Sequence, residues 1–229
     1  TLWSYDLGGT AGWHAEPVAN VPSIDPGSYM SSVLVDPVRD RLLLLGGGWA
    51  IHFGSKVDQM WEIPLAPAPA WNRLFPADTL PVGRRNYSVV FDPIGDRVLV
   101  FGGATRQAPA DDLGLARDDL YALELSPAPR WRRLYPANSP GPRDEHQAFL
   151  DGRGRMVVFG GWYSQGSRAP RPLKLDVWAL DLATLMWSKI GPDAPGPGRI
   201  AYDSSRDRIV LARDSSGETW ALPLDGSGA

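Results

Sequence analysis

The sequence predicts an all-β fold, a repeat array of four-stranded units of the propeller type, and three observations carry that prediction. First, an apolar run ending in Gly-Gly occurs three times: Arg41–Leu45 before Gly46-Gly47, Arg97–Phe101 before Gly102-Gly103, and Arg155–Phe159 before Gly160-Gly161. Second, an aromatic pair lies downstream of each run: Trp61 and Trp71, Tyr121 and Trp131, Trp178 and Trp187, with a partial copy at Trp3 and Trp13. Third, Trp13, Trp71, Trp131 and Trp187 recur at intervals of 58, 60 and 56 residues. So long a period, built from short strands, is the mark of a propeller or solenoid.

The unit from Arg84 to Trp131 shows how each element arises. Asn86–Asp92 is β-branched and aromatic, and reads as strand a. Pro93–Asp96 follows as a tight turn, with Asp and Pro both favoured at its entry. Arg97–Phe101, continuously apolar after its Arg, suits a strand b covered on both faces. Gly102-Gly103 ends it, supplying backbone freedom where larger side chains would collide. Strand c is Leu120–Leu125, and Trp131 opens the outer strand d, Trp131–Tyr135.

Strand a ends at Asp36, Asp92, Asp151 and Asp203, and strand c recurs as Leu2–Leu7, Met60–Leu65, Val177–Leu182 and Thr219–Leu224. The expected organisation is one array over 1–229: a partial unit 1–22, full units 23–78, 79–138 and 139–192, and a terminal partial unit 193–229. The last unit has Arg213-Asp214 in place of Gly-Gly, a short strand a (Ile200–Asp203) and no strand d tryptophan. Atypical terminal repeats are usual in arrays. The count gives an incomplete propeller or small ring of about four to five blades. An open strand edge invites pairing, so self-association through such edges is an expectation too.

Composition bounds the function. With 229 residues and 43% hydrophobic content the chain can bury a core. A net charge of −3 gives no broad basic field, which argues against nucleic acid as a partner. No apolar run reaches the ~18 residues of a membrane span. The opening segment Thr1–Asp6 lacks a basic start and an apolar stretch, unlike a signal peptide, and the missing initiator Met reads as a processed chain or a fragment. Cysteine is absent, which excludes disulfides, thiolate metal sites and Cys nucleophiles. The excess of Arg over Lys, with abundant Ala, Pro and Gly, suggests a high-GC bacterial source.

The Gly-Gly doublet after strand b, the aromatic in strand c and the Trp near strand d resemble the kelch repeat family over nearly the whole chain, from Leu2 to Leu224. The pattern Asp-Pro-x-x-Asp-Arg, apolar strand, Gly-Gly, then Asp-x-Trp-x-Leu is similar to kelch-type repeats of bacterial proteins. That resemblance implies a propeller with its b–c and d–a connections on one face, around a central channel. Bacterial kelch-type chains also point to secretion or cell-surface display, although no residue here fixes a compartment.

Function in such scaffolds concentrates on loops. The b–c loops span 48–56, 104–117 and 162–174; the first carries Trp49, His52 and Phe53, the third Trp162, Tyr163, Arg168 and Arg171. Aromatic and Arg side chains together suit a protein or carbohydrate partner. The alternative is that these aromatics pack between loops. A second group opens strand a: Arg84 and Arg143 are equivalent, as are Tyr87 and His146, and Arg199 is the candidate for the shortened unit. They form either a ring of bidentate donors at the channel mouth or ion pairs with loop residues such as Asp58, Asp119 and Asp176.

The search for catalytic chemistry is mostly negative. The three histidines His14, His52 and His146 lie in different units without metal-pair spacing. No Gly-x-Ser-x-Gly elbow or phosphate-cradling loop occurs. Asp111-Asp112 and Asp118-Asp119 flank one loop without the regular spacing of a Ca²⁺ site. The copper oxidases of the kelch family need a cysteine for their crosslinked cofactor, which this chain lacks. The sequence therefore points to a non-catalytic binding module without cofactor or metal. Two alternatives stand beside it. One is a sugar-directed enzyme resembling the kelch-type mutarotases, with Arg84, Arg143 and His146 at the channel mouth and His146 as acid–base group. The other is a structural part of a larger surface protein.

Overall fold

The computed structural model describes residues 2–8, 12–22, 32–46, 60–65, 69–78, 81, 83–105, 114–166, 170–213 and 216–225. Gly47, Trp49, His52, Phe53, Asp58, Asp111, Asp112 and Arg168 lie outside them. Every regular element among the described residues is a strand, and no helix long and apolar enough to cross a membrane occurs there.

Blade I is a two-stranded sheet of β1 (Leu2–Asp6) and β2 (Gly12–Glu16). Blade II joins β3 (Ser32–Asp36), β4 (Arg41–Leu45), β5 (Met60–Pro64) and β6 (Asn72–Leu74) in sequence order. In blade III, β7 (Ser88–Asp92) and β8 (Arg97–Phe101) are followed by a two-residue ladder, β9 (Ala104–Thr105) with β10 (Leu115–Ala116), inside the b–c connection. Its sheet is completed by β11 (Leu120–Glu124) and β12 (Arg130–Leu134). Blade IV runs β13 (Gln147–Leu150), β14 (Arg155–Trp162), β15 (Leu173–Asp181) and β16 (Met186–Lys189), and blade V β17 (Arg199–Asp203), β18 (Arg208–Ala212) and β19 (Thr219–Pro223). All neighbouring strands within the blades are antiparallel. Strand a of each blade packs on strand a of the next, so the blades fan round an inner line of β3, β7, β13 and β17. Among the described residues the fold is an all-β propeller of four blades, II to V, three with four strands and one with three, preceded by the two-stranded partial blade I.

Two expectations about elements change. Strand a of the last unit is not shortened: β17 holds five residues, as β7 does. The Gly-Gly doublet does not end strand b in blade IV, where β14 continues through Gly160 and Gly161 to Trp162 with a register shift at the doublet. Positive φ at Gly161 (98°), with the place of a Cβ only 2.7 Å from the Asp144 carbonyl oxygen, explains why glycine stands there. The chain bends back at this point and Trp162 exchanges backbone hydrogen bonds with Asp144 at 2.8 and 2.9 Å.

The core lies in the wedges between blades. Leu43, Leu45 and Met60 of blade II meet Val98, Val100, Leu123 and Trp131 of blade III. Leu99, Phe101 and Leu120 of blade III meet Met156, Val158, Leu180 and Trp187 of blade IV, and Val157, Phe159 and Val177 meet Ile209 and Leu211 of blade V. The strand b runs are buried on both faces, as their unbroken apolar character requires. The repeated tryptophan of strand d is thus a wedge filler: Trp187 packs on Phe101 across the blade boundary with ring centroids 5.0 Å apart.

Two polar devices repeat. The strand-end Asp accepts hydrogen bonds on one oxygen from the turn, from backbone N–H groups at Asp36, Asp92 and Asp151 and from the Ser205 hydroxyl at Asp203, and on its second oxygen from the Arg that opens strand b: Arg41 Nε–Asp36 at 2.8 Å, Arg97 Nε–Asp92 at 2.8 Å, Arg155 Nε–Asp151 at 2.7 Å and Arg208 Nε–Asp203 at 2.9 Å. The second device was not visible in the pattern of strands. Ala19, Ala77 and Ala137 each step across to the next blade and clamp the start of its strand d, with N–H donated to Pro69, Pro129 and Leu185 and C=O accepting from Trp71, Trp131 and Trp187. The residue after each alanine, Asn20, Asp78 or Asn138, has positive φ, which Asn and Asp tolerate well.

Candidate functional site

The starts of strands a, the ends of strands b and the starts of strands c come together at one end of the blades, where the b–c and d–a connections run. Arg84 and Arg143 precede β7 and β13 here, and both are buried. The Arg143 guanidinium is bidentate to Asp176, at 2.8 and 3.1 Å, and donates also to the carbonyls of Gly160 (3.0 Å) and Pro140 (2.8 Å). Arg84 repeats this with both oxygens of Asp119 and the Gly102 carbonyl, at 3.0 Å. Burial opposes ionisation of Asp176, but the Arg143 hydrogen bonds and charge outweigh it and hold the pKa below the usual carboxylate range. The pairing of these arginines with Asp119 and Asp176 is thus present, within each blade, tying strand a to strands b and c.

Tyr87 and His146 reach back to the preceding blade. The Tyr87 hydroxyl donates to the Gly46 carbonyl at 3.0 Å, and His146 Nε2 lies 2.7 Å from Ser88 Oγ. Burial pushes the Tyr87 pKa up to about 12. Burial, reinforced by the Arg143 charge, pushes that of His146 down to about 3. The imidazole is neutral and enclosed at neutral pH, which does not favour an acid–base role, since an efficient general base titrates near the working pH.

Arg199 occupies a different repeat position from Arg84 and Arg143. It pairs with Ala212 at the start of β17, as Ser88 pairs with Phe101 and Gln147 with Phe159, and so stands inside strand a with its side chain exposed. Its neighbours are tied to blade IV by Gln147, whose amide donates to the Gly198 carbonyl (2.8 Å) and accepts from the Ile200 N–H (3.0 Å).

Between blades III, IV and V these groups enclose a cavity of about 420 Å³, whose lining includes Tyr87, His146, Trp162, Lys174, Gln147 and Arg199. Four candidate residues from three repeats, Tyr87, His146, Trp162 and Arg199, converge there. Tyr163, next to Trp162, is half-buried and donates its backbone N–H to Pro172. The Trp162 ring is held by Arg171, 5.1 Å above its centroid. Arg171 is itself fixed by Asp144 (2.7 Å), Glu145 (2.9 Å) and Ser164 (2.7 Å). Burial and the neighbouring Arg143 charge lower the pKa of Lys174, which reaches the Pro140 carbonyl at 3.3 Å. Gln147, Lys174 and Asp144 carry no motif; only the register between blades reveals them.

The comparisons agree with this architecture. The KLHDC2/KLHL20/DRC7 Kelch-repeats domain matches residues 26–205, and the chain belongs to the kelch-repeat family. The host cell factor homolog hcf-1 of Caenorhabditis elegans is 32% identical over 180 residues, covering 73% of this chain and 22% of that protein. Host cell factor 2 of Homo sapiens is 28% identical over 188 residues, or 76% of this chain and 22% of that protein. The chain therefore spans under a quarter of the length of these relatives. Among solved structures, that of YjhT matches with a TM-score of 0.57 at 15% identity, covering 90% of this chain and 68% of that one. A fungal alcohol oxidase of the AA5 family in complex with copper matches with a TM-score of 0.53 at 14% identity, covering 82% and 40%. At these identities the two structures share the fold alone.

Proposed function

We propose that this chain is a non-catalytic interaction module that takes a protein partner at the cavity between blades III, IV and V. The observation that carries this reading is the convergence of Trp162, Lys174 and Arg199 on one cavity whose walls are fixed by buried ion pairs. A rigid scaffold with an aromatic and two cations at its mouth has the composition of an interaction hot spot. Burial of His146, with Nε2 held 2.7 Å from Ser88 Oγ, does not favour the mutarotase-like alternative. The test is selection of a random peptide library against the chain, followed by affinity measurement with Trp162→Ala and Arg199→Glu. Loss of tenfold or more in both, with Lys189→Glu unchanged, supports the reading. Peptides indifferent to both variants remove it, and binding confined to a glycan array assigns the cavity to carbohydrate.

Self-association is a second reading, favoured by blade I. Trp3, Tyr5 and Trp13 occupy the positions that Tyr121, Leu123 and Trp131 fill in blade III, yet they are 56%, 44% and 68% exposed. Light scattering over a dilution series tests it: a mass that does not exceed one chain at any concentration rejects it.

A further inference from the structure

The outer strand of blade III differs from those of its neighbours. β12 reads Arg130-Trp131-Arg132-Arg133-Leu134, three arginines in five residues, where β6 has one Arg and β16 one Lys. It is the edge of its sheet. Ala77 covers its first residues through the bridge to Arg130, and among the described residues nothing pairs with the edge from Arg132 onwards.

Its charge is poorly met. Arg130 lies 3.4 Å from Glu124 and 3.6 Å from Asp78, and Arg132 shares the same Glu124 at 3.5 Å. All are long, solvent-exposed contacts of small worth. Arg133 meets no carboxylate among the described residues; its guanidinium lies over the rings of Tyr135 (5.2 Å) and Tyr121 (6.0 Å). Exposed aromatics flank the edge. Tyr135 follows its end, and Phe75 stands two residues before the Ala77 bridge, with Arg73 5.0 Å from its ring; they are 77% and 76% exposed. A lone charge suffices to keep an edge strand from pairing indiscriminately. Three, with two aromatics and too few carboxylates, make an edge selective for one charge.

We infer that the free edge of β12 docks an acidic, extended segment of a partner protein, added to blade III as a further strand. Backbone hydrogen bonds to the unpaired part of β12 supply the affinity. Carboxylates two residues apart share one face of the added strand and meet Arg130 and Arg132, while the apolar residues between them lie on the other face, over Tyr135 beside Arg133. This surface lies on the outer rim, apart from the mouth cavity, and does not depend on it.

The test uses the whole chain and a fluorescent ten-residue peptide alternating Glu and Val, with its Lys–Val counterpart. The Glu–Val peptide binds, the Lys–Val peptide does not, and binding weakens several-fold as salt is raised towards 1 M, where the screening length falls to ~3 Å. Arg132→Glu with Arg133→Glu weakens it at least tenfold while circular dichroism and melting stay unchanged, because both side chains are exposed. Lys189→Glu on the neighbouring rim leaves it intact. N-methylation of alternate peptide nitrogens on one edge abolishes binding. No binding, equal binding of both peptides, indifference to the double substitution or to N-methylation on either edge, or preference for an RNA oligomer overturns the inference.

Discussion

Replacing His146 with Gln changes how stability depends on acidity, and the size of the change follows from the burial of the ring. In the folded chain the imidazole is enclosed beside Ser88 and Arg143, and its pKa is pushed down to about 3 by burial first and the Arg143 charge second. In the unfolded chain it titrates near ~6.5. Between those values the unfolded state binds a proton that the folded state does not, so stability falls as pH falls. The contribution is fully present above pH ~6.5 and drains at ~1.4 kcal/mol per unit below it, reaching ~2 kcal/mol by pH 5. A glutamine side chain has no such proton to take up. At pH 7.5 His146→Gln is the weaker protein, having lost the fit at Ser88; by pH 5 its deficit has shrunk by about 2 kcal/mol, because only the parent carries this term. Urea unfolding of both proteins at four pH values from 7.5 to 5 measures it. The carboxylates common to both cancel in the difference. Parallel losses, with a gap constant within ~0.5 kcal/mol, would refute a buried neutral His146.

Three further outcomes follow from the blade geometry. Trp187→Ala, which empties a buried wedge, is expected to cost ~3–5 kcal/mol by denaturant unfolding, while Trp13→Ala at the same repeat position costs under ~1, because Trp13 is exposed. Arg143→Met takes from Asp176 its bidentate partner and costs ~3–5 kcal/mol, and adding Asp176→Leu recovers only part of it, because the Gly160 and Pro140 carbonyls stay without their donor; a double variant as weak as the sum of the singles contradicts the pairing. Gly161→Ala costs more than Gly154→Ala by thermal unfolding, although both have positive φ, since only at Gly161 does the added methyl meet a carbonyl oxygen.

The strands and the repeat were legible because each rests on short-range chemistry. An apolar run bounded by Asp-Arg and Gly-Gly states its strand, its turn and its burial on both faces. The Asp92–Arg97 tie is visible as spacing for the same reason. The site was legible only in part. Arg84 and Arg143 announce themselves by repetition, but repetition alone cannot separate a donor ring from a set of ion pairs; the reach of Arg143 to Asp176 decides that geometry. Arg199 shows the opposite failure, because counting along the chain placed it with Arg143, whereas pairing with Ala212 places it with Gln147. Gln147 and Lys174 join the cavity through register between blades, which no local spacing encodes.

The outward faces of blades I and V differ, and the difference can be read position by position. Towards the open side, blade V presents Ala201, Val210, Ala212, Thr219 and Ala221, where blade III presents Val90, Leu99, Phe101, Leu120 and Ala122 to blade IV. Small side chains there leave little apolar area exposed on that face. Blade I keeps its large ones: Tyr5 and Trp13 pack edge to face at 5.1 Å, with Trp3 beside them, and Val33 and Val35 of blade II are more than half exposed. Apolar contact between chains should therefore run through blade I. Trp3→Lys with Trp13→Lys is expected to lower both the binding of an apolar dye and any concentration-dependent mass, at a stability cost under ~1 kcal/mol. Ala221→Lys should change neither. A dye signal that survives the double substitution, or that Ala221→Lys removes, would locate the exposed apolar surface on blade V and contradict this reading.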